Sequence, residues 1–492
     1  MKDKKIVTFR KLQLVSIFIA MNQKQYDFGM IGLGVMGRNF ILNVVDHGFS
    51  AIGLDKDPEK ANALEQEAAG KEVEATTSIE EFVAGLRQPR KIMMLVPAGK
   101  VVDYVIADLI PLLAEGDLII DGGNSFFADT DRRIGELAEK GIRFLGVGVS
   151  GGAEGARRGP SIMPGGSEEA YQIIAPILEA VSAKVGNDPC VAFMGNGSAG
   201  HYVKMVHNGI EYGLMQLIAE GYDLMRRIAG LSNEELHQAF NQWNGGSLQS
   251  FLIEITAEIF QQKDDQGTGD LIDKILDKAK QKGTGKWTSQ NAMDLGIPVS
   301  SIDAAVSMRE ISALKQERVQ ASGFLAVEAS IPDVSKSEFI THIGKALEFA
   351  FILSYAQGMS LLSAASDDKG FKLDMEAIAR IWRGGCIIRA ALLEDIRKAY
   401  HSTPHLTNLL LSPVFKERLL ATQDSCRYIL KAAIDAGVPS LSFSATLAYF
   451  DAYRSARLPL NLVQAQRDFF GSHTYERIDK AGIFHTEWGG FS

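Results

Sequence analysis

Two hydrophobic patterns divide the chain. From Tyr26 to about Asn196, short apolar runs alternate with amphipathic stretches. DFGMIG (27–32), SAIGLD (50–55), KIMMLVPAG (91–99), GDLIIDGGN (116–124) and IRFLGVGVSGG (142–152) have the length and β-rich character of buried strands, while RNFILNVVDHG (38–48) has a helical period closed by glycine. Apolar strands separated by helical periods predict a parallel sheet covered on both faces, with ligands held by the loops after the strand C-termini. After Gly197 the period becomes helical, over 198–230, 233–240, 248–262, 271–281, 302–320, 337–363, 375–381 and 390–401, with Gly, Pro and Asn at the breaks. From Arg457 the pattern loosens into a tail with scattered aromatics.

The first sheet run ends in Gly32-Leu33-Gly34-Val35-Met36-Gly37, a G-x-G-x-x-G between strand and helix. In that context the motif predicts a dinucleotide site: a tight turn at Gly32, backbone approach to a pyrophosphate at Gly34, and close helix–strand packing at Gly37. The expected fold is therefore an α/β Rossmann-type N-terminal domain (23–197), a large all-α domain (198–456) and a C-terminal tail (457–492). The second strand ends at Asp55-Lys56-Asp57. Asp55 suits a ribose 2′-hydroxyl and repels a 2′-phosphate, whereas Lys56 suits the phosphate, so the motif alone leaves NAD and NADP open.

Composition narrows the classes. The chain has 492 residues, 46% hydrophobic and 23% charged, which excludes disorder as its main state. A net charge of −9 argues against non-specific nucleic-acid or anionic-membrane binding. Cys190, Cys386 and Cys426 are too few for a disulfide framework, which fits a reducing cytoplasm. Residues 1–22 form an odd leader: Lys2, Lys4 and Lys5 precede LQLVSIFIA, but Arg10, Lys11 and Gln13 interrupt any signal pattern. The expectation is that this stretch is a mis-assigned or disordered extension and that translation starts at Met21.

Chemistry concentrates at the junction of the two patterns. Glycine-rich loops at 121–125, 148–152 and 159–166 offer backbone approach, with Asn124 and Ser150 as neutral hydrogen-bonding groups beside Gly151 and Gly152. The first long helix places Lys204, Asn208 and Glu211 at i, i+4 and i+7, with His207 and Tyr212 beside them. Such a stripe is either a solvated salt-bridge face or, if buried, a lysine base with a carboxylic acid partner. Lys282, Arg309, Arg467 and His473 add scattered cationic groups. No histidine or cysteine spacing fits a metal site.

Together these stretches resemble the decarboxylating 6-phosphogluconate dehydrogenases of the oxidative pentose phosphate pathway and gluconate utilization. The matching segments are GLGVMGRN, IIDGGNS, GVSGGAEGARRGPSIMPGG, GHYVKMVHNGIEYG, QKGTGKWT, WRGGCIIR and QAQRDFFGSHTYE, in order from about 26 to 487. The resemblance implies oxidation and decarboxylation of 6-phospho-D-gluconate to D-ribulose 5-phosphate. It implies Lys204 as general base and Glu211 as the acid that protonates C1. It implies substrate binding by Asn124, Ser150, Gly151, Gly152, His207, Asn208, Tyr212, Lys282, Arg309, Arg467 and His473. It implies cofactor contacts from the glycine loop, Asp55, Lys56, Asp57, Asn124 and Val96-Pro97-Ala98, with no metal. It also implies a homodimer in which Arg467 and His473 serve the neighbouring subunit. Two departures stand out: Asp55-Lys56-Asp57 replaces the family's Asn-Arg-Thr or Asn-Arg-Ser, and Pro97 replaces a frequent lysine. They predict weakened NADP preference, dual use, or NAD preference. The competing classes are a 3-hydroxyisobutyrate-type dehydrogenase and a non-catalytic NAD(P)-binding protein; the chain length and tail oppose the first, and Lys204, Glu211 and Asn124 oppose the second.

Overall fold

The computed structural model describes residues 25–489; the leader expected over 1–22, with Met21, lies outside them. Strands β1 (Phe28–Ile31), β2 (Ala51–Leu54), β3 (Val73–Thr76), β4 (Lys91–Met94), β5 (Leu118–Asp121), β6 (Arg143–Ser150) and β7 (Ser161–Gly165) form one sheet in the order β3-β2-β1-β4-β5-β6-β7. The first six are parallel and β7 is antiparallel to β6. Outside the edge strand β3, their side chains are largely buried on both faces, as the near-continuous apolar runs require: Ile92, Met93 and Met94 in β4, Ile119 and Ile120 in β5. Chain order reverses between β1 and β4, so the crevice at their C-terminal ends is the ligand-binding position of a doubly wound sheet.

The structure corrects three expectations, one in a loop read from the sequence and two in helices. The segment 159–166, read as a glycine loop, contains β7; Pro164 is tolerated because β7 is an edge strand. The helix expected over 271–281 is a single 3-10 turn, Leu271–Lys274. Tertiary bonds take over its backbone groups: Ala279 N donates to Ser312 Oγ at 3.0 Å, and Arg318 and Arg309 donate to the carbonyls of Asp277 and Lys280.

Seven helices carry the rest of the argument: α1 (Val35–Asp46), α2 (Gly152–Arg158), α3 (Ala199–Arg227), α4 (Thr284–Asp294), α5 (Ser300–Ala313), α6 (Lys336–Lys369) and α7 (Leu441–Tyr453). α6 is apolar on nearly every face, and α3 packs against it. Its length and apolarity would suffice to cross a bilayer, but most of that stretch is buried among the other helices. Each fully buried Phe or Leu there stabilises the fold by about 2–3 kcal/mol. The expected 302–320 helix is broken at Leu314 into α5 and Lys315–Phe324.

The start of α3 lies directly on the sheet. A methyl group on Gly200 would sit 2.2 Å from the Gly146 carbonyl oxygen and 2.3 Å from that of Met163; one on Gly165 would sit 2.2 Å from Gly200 N. Backbone therefore meets backbone at this junction.

The tail folds on itself. Helix α8 (Leu460–Gly471) is followed by a short hairpin, Tyr475–Glu476 with Ile483–Phe484. Asp468 is its knot: Oδ1 accepts from Thr474 N at 2.9 Å and faces His485 Nδ1 at 2.8 Å, while Oδ2 accepts from Thr486 N at 3.1 Å and Trp488 Nε1 at 2.8 Å. These bonds hold its carboxyl far below the usual carboxylate range.

Candidate active site

The glycine turn after β1 behaves as its spacing predicts. Gly32 has φ +91°, and a methyl group there would lie 2.6 Å from the Leu95 carbonyl oxygen; on Gly37 it would lie 1.8 Å from the Gly32 carbonyl oxygen. Gly34, by contrast, has nothing within 4 Å of such a group and faces a cleft of about 940 Å³. Gly32 and Gly37 shape the turn, and Gly34 leaves room for a ligand, so these residues fit a dinucleotide. Leu33 is buried in the sheet core, Val35 and Met36 begin α1, and Val96 and Pro97 line the same cleft; Ala98 is exposed beside them.

Asp55 faces the glycine turn. Its Oδ2 accepts from Leu33 N at 2.8 Å and its Oδ1 from Asp57 N at 3.0 Å, with Lys60 Nζ 3.6 Å from Oδ1. It ties the end of β2 to the turn after β1. Asp57 caps the next helix by accepting from Glu59 N at 3.0 Å. Lys56 is exposed on the cleft, 3.5 Å from Asp108. Lys60, which the sequence reading passed over, lines the cleft between Asp55 and Asp57. Its signal was its position at the opening of a helix that begins at the cofactor-side strand end.

Across the β6 loop, α3 presents a second site. Lys204 is 6% exposed; among the described residues no carboxylate lies within 4 Å of its amine. Gly148 admits it: a methyl group there would lie 2.4 Å from Lys204 Cβ. Burial pulls the Lys204 amine below its ordinary pKa, while the charge of Glu211 acts the other way. Burial pushes Glu211 up, opposed by Lys204 and Arg309. His207 is fully buried, and burial followed by the Lys204 charge holds its pKa well below the ordinary value. The neutral ring donates from Nδ1 to Asn208 Oδ1 at 3.1 Å and accepts at Nε2 from Ser150 Oγ at 3.3 Å. Nδ1 also lies 3.5 Å from Lys204 Nζ and 3.8 Å from Glu211 Oε2. The solvated-stripe alternative is thus excluded: Lys204 and His207 are buried against β6 and Asn208 is buried beside α4.

Other elements complete the wall. Asn208 Nδ2 donates to Thr284 Oγ1 on α4 at 3.3 Å, and Trp382 packs edge-on against His207 at 5.4 Å. Gly151 abuts the Gly385 carbonyl, where a methyl group would lie 2.5 Å away, whereas Gly152 faces open space and starts α2. The Arg309 guanidinium stacks 3.4 Å above the Tyr212 ring. Asn124 is exposed at the crevice and Lys282 on the loop before α4. Among the described residues no hydrogen bond or ion pair joins Arg467 or His473 to α3; Arg467 donates to Gln464 at 3.1 Å and His473 packs on Phe470. Also missed by the sequence reading was His201, which holds the start of α3 to the sheet, with Nε2 3.0 Å from the Asp121 carbonyl oxygen and Nδ1 2.7 Å from Thr130 Oγ1. Among the described residues no cluster of His, Cys, Asp and Glu has a metal-holding arrangement.

A dinucleotide-binding sheet set against a buried lysine–glutamate helix defines a dehydrogenase of two domains. Residues 27–195 match the model of the NAD binding domain of 6-phosphogluconate dehydrogenase, and residues 200–488 match that of its C-terminal domain. The NADP(+)-dependent, decarboxylating 6-phosphogluconate dehydrogenase of Bacillus subtilis is 54% identical over 94% of this chain and 99% of its own length. The decarboxylating enzyme of Escherichia coli is 50% identical over the same shares. A solved Plasmodium falciparum 6-phosphogluconate dehydrogenase, studied in apo form and in complex with NADP+ and with 6-phosphogluconate, superposes with a TM-score of 0.91 at 45% identity, covering 94% of this chain and 100% of that one. The chain belongs to the 6-phosphogluconate dehydrogenase family.

Proposed function

We propose that the protein oxidises and decarboxylates 6-phospho-D-gluconate to D-ribulose 5-phosphate and CO2, using NADP, in the cytoplasm and as a homodimer. The observation that carries the reading is Lys204: a buried amine without an ion-pair partner among the described residues, whose lowered pKa increases the share of free base near neutral pH. Lys204 takes the proton of the substrate 3-hydroxyl. A nicotinamide cofactor held by the glycine turn and the 96–98 loop would supply the hydride acceptor for C3. The product is a β-keto acid, which loses CO2 as the C–C electrons flow toward the C3 carbonyl, and protonated Lys204 donates a hydrogen bond to that oxygen. Glu211, its acid form favoured by burial, then delivers a proton to C1 of the enediol.

In this reading Asn124, Ser150, Gly151, Gly152, His207 and Asn208 hold the sugar acid, and Tyr212, Lys282 and Arg309 surround the phosphate. The glycine turn, Asp55, Lys56, Asp57 and the 96–98 loop hold the cofactor. Arg467 and His473 reach the partner's site, which agrees with a self-folded tail whose Leu462 and Phe470 are 61% and 73% exposed.

The test is turnover of 6-phosphogluconate with NADP or NAD, read by reduced-cofactor absorbance and CO2 release; no turnover with either sinks the proposal. Mixing tests the shared site. Lys204→Met and Arg467→Ala chains are each expected to be inactive as homodimers. Co-refolded in equal amounts, they should recover about a quarter of wild-type activity, because half the dimers then hold one intact site of two. No recovery would place the tail in its own chain's site.

A further inference from the structure

Arg133 lies on the Phe127–Ala138 helix after β5 and is 1% exposed. Its guanidinium has three destinations. Nε donates to Asp103 Oδ1 at 2.8 Å, Nη2 donates to the Gly99 carbonyl at 3.0 Å, and Nη1 lies 3.5 Å from both Ser125 Oγ and Asp121 Oδ2. Gly99 ends the loop whose Val96 and Pro97 line the dinucleotide cleft. Asp121 and Ser125 bracket Asn124 in the next loop. Asp121 is itself fully buried; its Oδ2 accepts from Ser125 Oγ at 2.6 Å and its Oδ1 from Gly123 N at 3.0 Å. A carboxylate so placed depends on a buried cation. Arg132 also reaches Asp103, at 2.9 Å, but from the surface, with 43% of its side chain exposed.

We propose that Arg133 is a positioning residue: one planar cation sets the loop over 96–99 against the loop over 121–125, and thereby fixes where cofactor and substrate lie relative to Lys204. The proposal rests on the dehydrogenase reading above. The planar fork matters because its donors diverge in fixed directions toward Asp103, Gly99 and Asp121. A lysine would preserve the charge that Asp121 needs but could not hold all three destinations in register. Ser125→Ala is the complementary cut. It removes the Ser125 contact of the substrate-side leg, together with the bond from Ser125 to Asp121, and leaves the Gly99 leg intact.

The experiment compares full-length wild type with Arg132→Lys, Arg133→Lys and Ser125→Ala. It measures kcat, both KM values, thermal unfolding, and calorimetric Kd for NADP and for 6-phosphogluconate. Arg133→Lys should raise both KM and both Kd values about tenfold. Ser125→Ala should raise those for 6-phosphogluconate several-fold and leave those for NADP within about twofold. Arg132→Lys, which shares Asp103 but not the loops, should match wild type. A folded Arg133→Lys protein with unchanged constants overturns the proposal, as does a Ser125→Ala protein in which both ligands weaken equally. If Arg133→Lys does not fold, Ser125→Ala decides by itself, and an unchanged 6-phosphogluconate Kd overturns the proposal. The calorimetric constants separate the two layers: an inactive wild type sinks the dehydrogenase reading, while equal Kd values in wild type and a folded Arg133→Lys sink the positioning role.

Discussion

Helix α3 carries two carboxylates with opposite fates, one half-buried and one buried. Near its middle, Glu211 keeps 21% of its side chain exposed and accepts no hydrogen bond among the described residues; its near neighbour is His207 at 3.8 Å. Further along, Glu220 is 3% exposed and saturated: it accepts from Ser442 N at 2.8 Å, Phe443 N at 3.0 Å and Gln216 Nε2 at 3.1 Å. Ser442 and Phe443 open α7, so Glu220 supplies the acceptor that this helix N-terminus needs. Burial raises both carboxyls, Glu220 to about 6. Burial therefore does not distinguish a working acid from a structural one; hydrogen-bond saturation does. An acid with spare lone pairs and an opening to solvent can exchange a proton, and one locked onto backbone amides holds two helices together.

The comparison predicts separable losses. The largest concerns the working half of the helix: Lys204→Met should lower kcat by about 10³ while the fold is kept, since a residue of similar length replaces a buried charge. Steady-state kinetics beside a thermal melt checks both parts. Next, Glu211→Gln should cost about 10² in kcat with little change in melting temperature. Glu220→Ala should do the reverse, costing about 2–4 kcal/mol of stability by leaving two buried amides unmet, with kcat nearly unchanged. A Glu220→Ala enzyme that stays stable but loses turnover would erase the distinction.

A subtler effect is pH-dependent. The folded Glu220 pKa, about 6, stands above its ordinary 4.5, so the native state holds that proton more tightly. The associated stabilisation is present below pH 4.5 and is lost as pH rises through 6, about 2 kcal/mol in all. In urea titrations the stability of Glu220→Gln should gain on wild type by that amount between the acid and neutral ends. A gap that does not move with pH would refute the assignment. The smallest expected effect is at Asp55, another acid tied to backbone amides. Asp55→Asn can still accept from Leu33 N but removes a negative charge from the cleft and frees Lys60 from one partner, so the NADP-to-NAD preference should rise a few-fold. An unchanged ratio would show that the charge is already neutralised by Lys60.

Much of this was legible in the residues. The central strands are apolar on both faces and bounded by Gly, Asn or Pro, so β1, β2, β4, β5 and β6 fall where the runs do. The 3.6-residue period put Lys204, Asn208 and Glu211 on one face, and only packing against β6 could reveal that the face is buried. Edge elements were harder. β3 is VEAT, partly exposed, and β7 contains Pro164, so neither has a core strand's pattern. Long helices such as Pro413–Asp435 and α7, and the tail helix α8, lack one clean apolar stripe and did not stand out. Arg133, Glu220 and Asp468 escaped notice for one shared reason. Charged side chains ordinarily face water, and their partners are backbone atoms or residues distant in sequence, which local spacing does not encode.

The glycines where α3 rests on the sheet have a hereditary consequence. Every single-base missense change in a glycine codon brings in a side chain, and even the smallest would collide with the side chains of Thr130 and His201 at Gly146, or with main-chain atoms of the opposing element at Gly165 and Gly200. None of these residues takes part in bond making, and none could be rescued by a flexible neighbour moving aside. In a saturation library they should tolerate as little variation as Lys204 does. Intolerance to substitution in this protein would then map two different things, the chemistry and the seam on which the chemistry is mounted.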